Sequence, residues 1–340
     1  QRVFVVARCE RGAADFDAAM ERVDAIAHDA LDAREVASGR FETAGELQSV
    51  MEPERYRAGV VALKEAIAAG DIFQAVLSQR FEQRFAGDPF TLYRVLRLVN
   101  PSPHMFFFAA DGLTLAGSSP ERLVSVHGRR VENRPIAGTR PRGVSADEDE
   151  RLARELASDR KERAEHDMLV DLARNDLGRI ARVGSVRVVE HAALERFARV
   201  QHLVSRVEAE LADGKDALDA LAASFPAGTV SGAPKVRALE LLGALEPDTR
   251  GPYAGCFGYL DFRGNLDTAL VLRSFVARGD VLSLQAGAGV VFDSDPEKER
   301  METLHKARAL FEAATVAGSD AFRSARPDPL SATKGGRGCS

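Results

Sequence analysis

Four glutamates in two short stretches are the residues whose type and spacing best suit chemistry. Glu162 and Glu165 are three residues apart, and Glu299 and Glu302 repeat that spacing near the carboxyl end. Residues three apart lie on one face of a helix, so each pair would present two carboxylates together. Such pairs suit a hard divalent cation such as Mg²⁺, which takes carboxylate and water oxygens. Acid pairs are also common in solvated first turns, because helix N-termini favour acids, and spacing alone favours this second interpretation.

The segment 159–178 would carry the first pair. Its centre, from Met168 to Ala173, is largely apolar, which predicts a buried helix. Two carboxylates that enter a buried helix side by side cost free energy unless a cation or hydrogen-bond donors meet them. That cost is the physical reason to expect a ligand at the first turn of this helix.

Three isolated residues are further candidates. Arg273 lies within the apolar stretch TALVLRSF, which predicts a strand. A buried guanidinium needs a partner there, and a carboxylate that accepts two hydrogen bonds suits it. His202 and Glu121 are able to transfer protons. However, a histidine in an apolar strand is more often a satisfied core residue, and Glu121 could simply cap or pair locally.

Glycine turns occur at 135–139, 225–235 and 286–289. Glycine lets a backbone approach a ligand closely, and the second turn could offer N–H groups to an anion at a helix start. Structural turns are the more frequent explanation, and the second turn lacks the phosphate-loop pattern. Together with the acids, the arginine and the proton-transfer candidates, these turns describe a cleft for a small substrate with several carboxylates.

Composition excludes several classes of protein. The chain has 340 residues, of which 45% are hydrophobic and 29% charged, as is ordinary for a soluble globular protein. A net charge of −5 argues against nucleic-acid binding, and no apolar run approaches the roughly 20 residues that span a bilayer. The scattered Cys9, Cys256 and Cys339 indicate neither a disulfide frame nor a zinc site. We therefore expect a cytoplasmic location, and the start at Gln1 predicts a fragment without a signal peptide.

Strand patterns outnumber helix patterns and come in hairpin-like runs. Helices are predicted at 14–34, 52–69, 90–99, 159–178, 216–224 and 295–316, with others ending near 158 and 245. The main strands are predicted at 2–7, 72–85, 254–262, 267–277 and 280–292. Residues 37–47 are interpreted as a linker and 318–340 as a disordered tail. Ser294 with Glu297 predicts a capping box, with Pro296 in the first turn. These features favour an α+β fold, with antiparallel sheets and helices packed outside.

Long motifs resemble the chorismate-utilising enzymes, and most closely component I of the anthranilate synthases. They include DIFQAVLSQRF, NPSPHMFFF, GSSPERL, RPIAGTRPRG, DRKERAEHDMLVDLARNDLG, RVQHLVSRV, FPAGTVSGAPK, GPYAGCFGY and QAGAGVVFDSDPEKERMETLHKA. The resemblance covers roughly residues 50–315. It implies a sandwich of antiparallel sheets with the active-site cleft between. It also implies a catalytic domain at 51–316, after a remnant of an N-terminal regulatory region at 1–50 and before a tail at 317–340.

The resemblance also implies roles for single residues. Glu162, Glu165, Glu299 and Glu302 would hold Mg²⁺, which binds the ring carboxylate of chorismate. Glu121 would be the general acid that protonates the departing C4 hydroxyl, and His202 would assist the loss of pyruvate. Arg273 and Tyr253 would bind the enolpyruvyl carboxylate. The remaining substrate-binding residues would be Gly138, Thr139, Thr229, Gly287, Gly289, Lys306 and Gln74.

Two positions discriminate within the resembling family. Aminodeoxychorismate synthases usually carry a nucleophilic lysine where this chain has Ala137, and isochorismate synthases usually carry a water-activating lysine where it has Gln74. Ammonia is therefore the expected nucleophile, supplied by a glutamine amidotransferase that this chain does not contain. The expected products are anthranilate and pyruvate, in tryptophan biosynthesis.

Alternatives to this function stay open at the level of sequence. A 2-amino-2-deoxyisochorismate synthase would retain the pyruvyl group, and an aminodeoxychorismate synthase would aminate elsewhere on the ring. A non-enzymatic alternative is a truncated module that only docks the amidotransferase. Half of a tryptophan inhibitor site is matched by Asn100, Pro101, Ser102 and Met105, with His104 where tyrosine is common. The matching L-L-E-S segment is absent from the sequence, which leaves feedback control open.

Overall fold

The computed structural model describes residue 7 and residues 13–31, 39–197 and 200–319. Two compact units are distinguished. Helix α1 (Ala13–Leu31) belongs to the first unit, and residues Arg40–Ser319 form the second. The predicted strand at 2–7 lies outside the described residues, as does most of the predicted tail at 318–340. No helix among the described residues is long and apolar enough to cross a membrane.

Fourteen strands are found in the described part of the second unit. In chain order they are β1 (Phe41–Ser49), β2 (Gln74–Gly87), β3 (His104–Ala110), β4 (Leu113–Ser119), β5 (Arg122–His127), β6 (Arg130–Asn133), β7 (Ile136–Pro141), β8 (Arg187–Arg196), β9 (Val200–Glu210), β10 (Gly232–Ala233), β11 (Cys256–Leu260), β12 (Leu266–Leu270), β13 (Ser274–Arg278) and β14 (Val281–Val290). The first sheet has the order β1-β2-β14-β13-β4-β3, with β10 beside β2. The second has the order β11-β12-β5-β6-β9-β7, with β8 beside β9. All the strand pairs are antiparallel.

Helices pack against both sheets. They are α2 (Pro53–Ala68), α3 (Pro89–Val99), α4 (Ala146–Ser158), α5 (Arg160–Gly178), α6 (Ala217–Ser224), α7 (Lys235–Leu245) and α8 (Pro296–Ala317). Helices α2, α7 and α8 contact the first sheet, whereas α4, α5 and α6 contact the second. The sheets meet through aromatic packing, in which Phe106 of β3 stacks on Phe257 of β11 with ring centres 4.5 Å apart. The α+β prediction, with antiparallel sheets and helices outside, is confirmed.

Two local predictions about the strands are wrong. Residues 41–49 form strand β1 rather than a linker, because Phe41 is fully buried and stacks on Phe85 of β2. The predicted strand 267–277 is two strands, since β12 lies in the second sheet and β13 in the first. The apolar pattern continues through the break, so periodicity does not reveal the change of sheet.

The predicted capping box at the start of α8 is also wrong. Asp295, rather than Ser294, caps this helix, and its carboxylate accepts hydrogen bonds from the N–H groups of Glu297 and Lys298. The hydroxyl of Ser294 instead accepts from the N–H of Val291 at 3.0 Å. Pro296 occupies the first turn as predicted. The predicted division of the chain at residues 50 and 316 stays a prediction.

Candidate active site

The chain passes from one sheet to the other at two neighbouring places, and each carries a candidate residue. Glu121 lies between β4 and β5, and Arg273 lies between β12 and β13. The N–H of Leu270 donates to the carbonyl of Glu121 at 3.0 Å, and the N–H of Ser118 donates to the carbonyl of Arg273 at 3.2 Å. These bonds hold the two crossings side by side. Glu121, the candidate acid, and Arg273, the candidate receptor for a carboxylate, are therefore neighbours.

The carboxyl group of Glu121 is set up as an acid. The hydroxyl of Thr229, in the short turn 228–230, donates to its Oε1 at 2.6 Å. Burial raises the pKa of Glu121 to about 7, although the hydrogen bond from Thr229 opposes the rise. A carboxyl group with this pKa is about half protonated near neutral pH, which is the condition a general acid needs.

His202 is held in one tautomer. Its Nδ1 lies 2.9 Å from the carbonyl oxygen of Gly138 and 3.1 Å from the hydroxyl of Thr139. A carbonyl oxygen only accepts, so Nδ1 carries the hydrogen and the neutral ring keeps Nε2 as a free acceptor. Burial lowers the pKa of His202, and the charge of Arg273 acts in the same direction. His202 is therefore a neutral base beside a guanidinium.

Arg273 is in an unusual position for a cation. Its backbone has a φ of 47°, which is the left-handed region, where a non-glycine residue is a sign of strain. Surrounding protein lowers the pKa of its guanidinium, yet no acidic side chain among the described residues pairs with it. The sequence predicted a carboxylate partner, and a substrate carboxylate is able to fill that place.

The predicted turn at 286–289 is wrong, because these residues lie within strand β14 and pair with β2. Tyr253 and Lys306 approach this part of the strand. A side-chain carbon added at Gly287 would lie 2.8 Å from the Tyr253 hydroxyl, so glycine is needed for this contact. The ammonium group of Lys306 donates to the carbonyl of Gly287 at 2.9 Å and pairs with Glu302 at 2.6 Å. Lys306 therefore joins Gly287 of β14 to the second acidic pair, Glu299 and Glu302.

The two acidic pairs face each other. Burial raises the pKa of Glu165, and the charges of the other three glutamates raise it further. Glu162 opens α5, where Asp159 caps the helix, and it pairs with Arg140 at 3.0 Å. Gly138 lies against the same side chain, because a carbon added there would be 3.1 Å from Glu162 Oε2. The candidate acids and His202 are thus linked through Gly138.

The donors suit magnesium by type, although they do not form a closed cage. Among the described residues, no group of three or more His, Cys, Asp and Glu side chains is arranged to hold a metal ion. Burial and the charges of neighbouring glutamates nevertheless raise the pKa of Glu165 and of Glu299, which indicates a local surplus of negative charge. Mg²⁺ usually keeps several of its waters and takes only one or two carboxylates directly. The four acids therefore fit an ion that is bound partly through water.

The other predicted residues form two sets. Gln74 begins β2 and is buried, with only 4% of its surface exposed, and Gly289 faces open space on β14. The predicted inhibitor residues, Asn100, Pro101, Ser102 and Met105, lie at the end of α3 and the start of β3. The carbonyl of Asn100 accepts a hydrogen bond from the Ser118 hydroxyl, so this segment adjoins the crossing that carries Glu121. Their roles stay predictions.

A family model described as chorismate binding enzyme matches residues 1–312 of the chain. The chain belongs to this family. It is 55% identical to anthranilate synthase component 1 of Aquifex aeolicus (strain VF5), over 78% of this chain and 53% of that protein. Identity is 53% to the same component of Bacillus caldotenax, over 82% and 55% of the two chains. The chain thus spans about half the length of the curated relatives it matches.

Two solved structures have a similar fold. Anthranilate synthase component I from Streptococcus pneumoniae TIGR4 superposes with a TM-score of 0.77 and 38% identity, over 86% of this chain and 66% of that one. The menaquinone-specific isochorismate synthase MenF from Escherichia coli gives a TM-score of 0.75 and 26% identity, over 88% and 69%. The resemblance inferred from the motifs is confirmed at the level of the family.

Several charged residues of this chain were missed in the sequence. Arg140 neutralises Glu162, and Arg250 lies 5.6 Å from the ring centre of Tyr253 while pairing with Glu246 at 2.6 Å. Asp176 and Lys235 form a mostly buried ion pair at 2.9 Å. Arg250 and Lys235 lie beside motifs that were examined for their glycines. Only their unusual burial, which needs the fold, marks them.

Proposed function

We propose that the chain catalyses the Mg²⁺-dependent conversion of chorismate and ammonia to anthranilate and pyruvate, in tryptophan biosynthesis and in the cytoplasm. A glutamine amidotransferase would supply the ammonia. The observation that carries the proposal is the pair of sheet crossings, which sets a proton-donating Glu121 beside an unpaired Arg273. It is supported by the relatives named anthranilate synthase component 1.

The proton-transfer chemistry follows from the two environments. Glu121, with a pKa of about 7, donates its proton to the C4 hydroxyl, which leaves as water. His202 offers Nε2 as the acceptor, because Nδ1 is committed to Gly138, and assists the elimination of pyruvate. Both groups work near neutral pH, since burial holds the acid protonated and the base neutral.

Substrate carboxylates have two receptors. Arg273 offers a guanidinium without an acidic partner in the described residues, and Tyr253 places its hydroxyl over Gly287; together they would bind the enolpyruvyl carboxylate. Glu162, Glu165, Glu299 and Glu302 would hold Mg²⁺. When bound, that ion would orient the ring carboxylate and stabilise negative charge there. Arg140 and Lys306 keep two of the acids in place until the ion arrives.

The nucleophile is inferred from two small or neutral side chains. Ala137 and Gln74 stand where related enzymes carry lysines, and both are buried, at 8% and 4% exposure. Neither is able to attack chorismate or to activate water as a lysine does. With a nucleophilic lysine and a lysine-activated water both excluded, ammonia is the nucleophile that remains.

Product identification tests the proposal. The full chain is incubated with chorismate, Mg²⁺ and ammonium, and products are identified by mass and by anthranilate fluorescence. Anthranilate with an equal amount of pyruvate is the expected result. An aminated product that retains the pyruvyl group, aminodeoxychorismate or isochorismate would each refute it. Partner binding without turnover at high ammonium would identify a docking module instead.

A further inference from the structure

A small cavity lies beside Glu121, and most of the residues that line it have no role in the proposed substrate chemistry. Its volume is about 30 Å³. One wall is formed by Glu121 and the turn that carries Thr229, and the other by α5 and the end of α6. A cavity needs on the order of 10–15 Å³ to hold one water molecule. The space is therefore large enough for at least one.

The cavity contains a hydroxyl group that has no partner. Ser224 is 1% exposed, and its Oγ makes no hydrogen bond with the described residues. Leaving such a buried group unpaired is unfavourable, because its lost hydrogen bonds to water are not replaced. Ser224 lines the cavity together with the side chains of Glu121, Asn133 and Asp176. A water molecule here would have the two to four polar partners that buried waters require.

An ion pair reaches this space through one of its members. Asp176 lines the cavity and is 6% exposed, and both of its carboxylate oxygens accept hydrogen bonds from Lys235, at 3.0 and 2.9 Å. The Lys235 side chain is 15% exposed, so it is the member of the pair that reaches solvent. The proposed reaction makes no other use of this pair. Because Asp176 and Glu121 line the same cavity, the pair has a route to the acid.

We infer that the cavity binds ordered water, which relays protons from the Asp176–Lys235 pair to Glu121. This inference rests on the proposed function, in which Glu121 loses one proton per turnover to the leaving hydroxyl. The cavity water gives a proton to the carboxylate and regains one from the pair, which is replenished from solvent. One proton enters and one leaves, and no other reactant is consumed. The substrate side of Glu121 can stay closed to solvent during this exchange.

The pH response of Glu121 depends on a small set of neighbours. Thr229 donates to its carboxylate, the Tyr253 hydroxyl is close enough to be affected by its charge, and Asp176, which is paired with Lys235, lines the same cavity. The adjacent Arg122 is instead engaged by Glu132 and Asp267. A change confined to the cavity therefore acts on Glu121 through the water alone.

Three variants separate the relay from general packing. Ala173→Val fills the cavity from α5, whereas Ala220→Val adds the same carbons to α6, in the same core but away from the cavity. Ser224→Ala removes the unpaired hydroxyl without adding volume. We expect Ala173→Val and Ser224→Ala to lower kcat about tenfold, less than the roughly 10²–10⁴-fold that general acids contribute. Both should change the solvent isotope effect and the pH profile, with KM unchanged, and Ala220→Val should change neither.

Crystal structures of the wild type and of Ala173→Val provide the second measurement. Wild-type density for a water bonded to Ser224 and Glu121, absent in the filled variant, is the expected result. An empty wild-type cavity would overturn the inference, and so would an unchanged isotope effect after the water is displaced. The density does not depend on turnover. A wild-type chain that fails to convert chorismate would refute the proposed function and the relay but not the water site.

Discussion

Glutamates in two regions of this molecule differ in how their negative charge is compensated. Glu121 is a single acid, and burial raises its pKa to about 7. In the acidic cluster of Glu162, Glu165, Glu299 and Glu302, burial raises the pKa of Glu165 and Glu299, and the charges of other glutamates in the cluster raise it further. The first acid is stabilised by holding a proton. The second group would be stabilised by the cation that we propose it binds.

The surroundings decide which of these outcomes applies. The carboxylate of Glu121 accepts a hydrogen bond from one neutral donor, Thr229. No cation among the described residues pairs with this carboxylate, so protonation is the most favourable way for it to lose its charge. The acidic cluster already contains Arg140 and Lys306 and has room for solvent. In the proposed function, a hydrated divalent ion would complete it at lower cost than several protons would. The same side chain would thus serve as an acid in one region and as a metal ligand in the other.

The largest expected effect comes from removing one acid of the cluster. Glu302→Gln should reduce activity below detection at ordinary Mg²⁺ concentrations, because the charge of Lys306 is then left without its partner in the ion site. Activity as a function of Mg²⁺ and direct titration of the metal measure this, with circular dichroism to check the fold.

Glu297→Gln is the matched control on the same helix. Its carboxylate pairs with Arg57 and Arg300 at 2.7 and 2.6 Å, outside the cluster, and we expect nearly wild-type activity. Retained activity in Glu302→Gln, or equal loss in both variants, would contradict the metal assignment.

Glu121→Gln tests the other region. The amide keeps the shape and is able to accept the bond from Thr229, yet it has no proton to give. We expect kcat to fall by roughly 10²–10⁴-fold, with little change in KM, in steady-state assays of anthranilate. Glu240→Gln, at an exposed position on α7, should leave both constants unchanged. A fall below tenfold would mean that another group protonates the leaving hydroxyl.

The same variant should be more stable than the wild type at high pH. The pKa of Glu121 is raised from 4.5 to about 7, so the folded state holds more protons between these values and its stability falls as pH rises through them. The difference should grow up to about 3 kcal/mol above pH 7 and be small near pH 5. Denaturant unfolding at pH 5 and pH 8 measures it. Equal differences at both values would contradict the raised pKa.

Replacing His202 should divide the reaction into its steps. His202→Gln should slow the loss of pyruvate more than the amination, because Nε2 is the acceptor near the eliminating group. Mass analysis would then detect an aminated product that still carries the pyruvyl group. His127→Gln, exposed at the end of β5, is the control. Equal slowing of both steps would indicate a mainly structural role.

The sequence reveals the acidic pairs but not their meeting. Spacing placed Glu162 with Glu165 and Glu299 with Glu302 on single helix turns, and both helices are present. That α5 and α8 bring these turns together from different sheets depends on long-range pairing, which local patterns do not encode. The same limit explains Arg273, which was assigned to a strand interior and lies at a crossing between sheets.

Burial was the other property that the sequence did not supply. The composition of residues 37–47 resembles that of a linker. One buried aromatic residue, Phe41, is nevertheless enough to anchor strand β1. Glu121 was identified by its motif, but its pKa depends on groups far away in the chain, which bury it and so raise the pKa, and on Thr229, which opposes the rise. The cavity beside it exists only where α5 and α6 meet the second sheet.

The smallest effect concerns the hydrogen bond between Thr229 and Glu121. This bond favours the charged carboxylate and so lowers the pKa. Thr229→Val should therefore raise it by about one unit, since a hydrogen bond to a charged group is worth roughly 1.5–3 kcal/mol and one unit is 1.36 kcal/mol. Because a general acid must be protonated, activity falls above its pKa, and the alkaline limb of the kcat profile should move to higher pH. Thr229→Ser keeps the hydroxyl and should keep the wild-type limb. A limb that stays in place in Thr229→Val would mean that Glu121 does not set it, and the contrast between the lone acid and the acidic cluster would lose its kinetic basis.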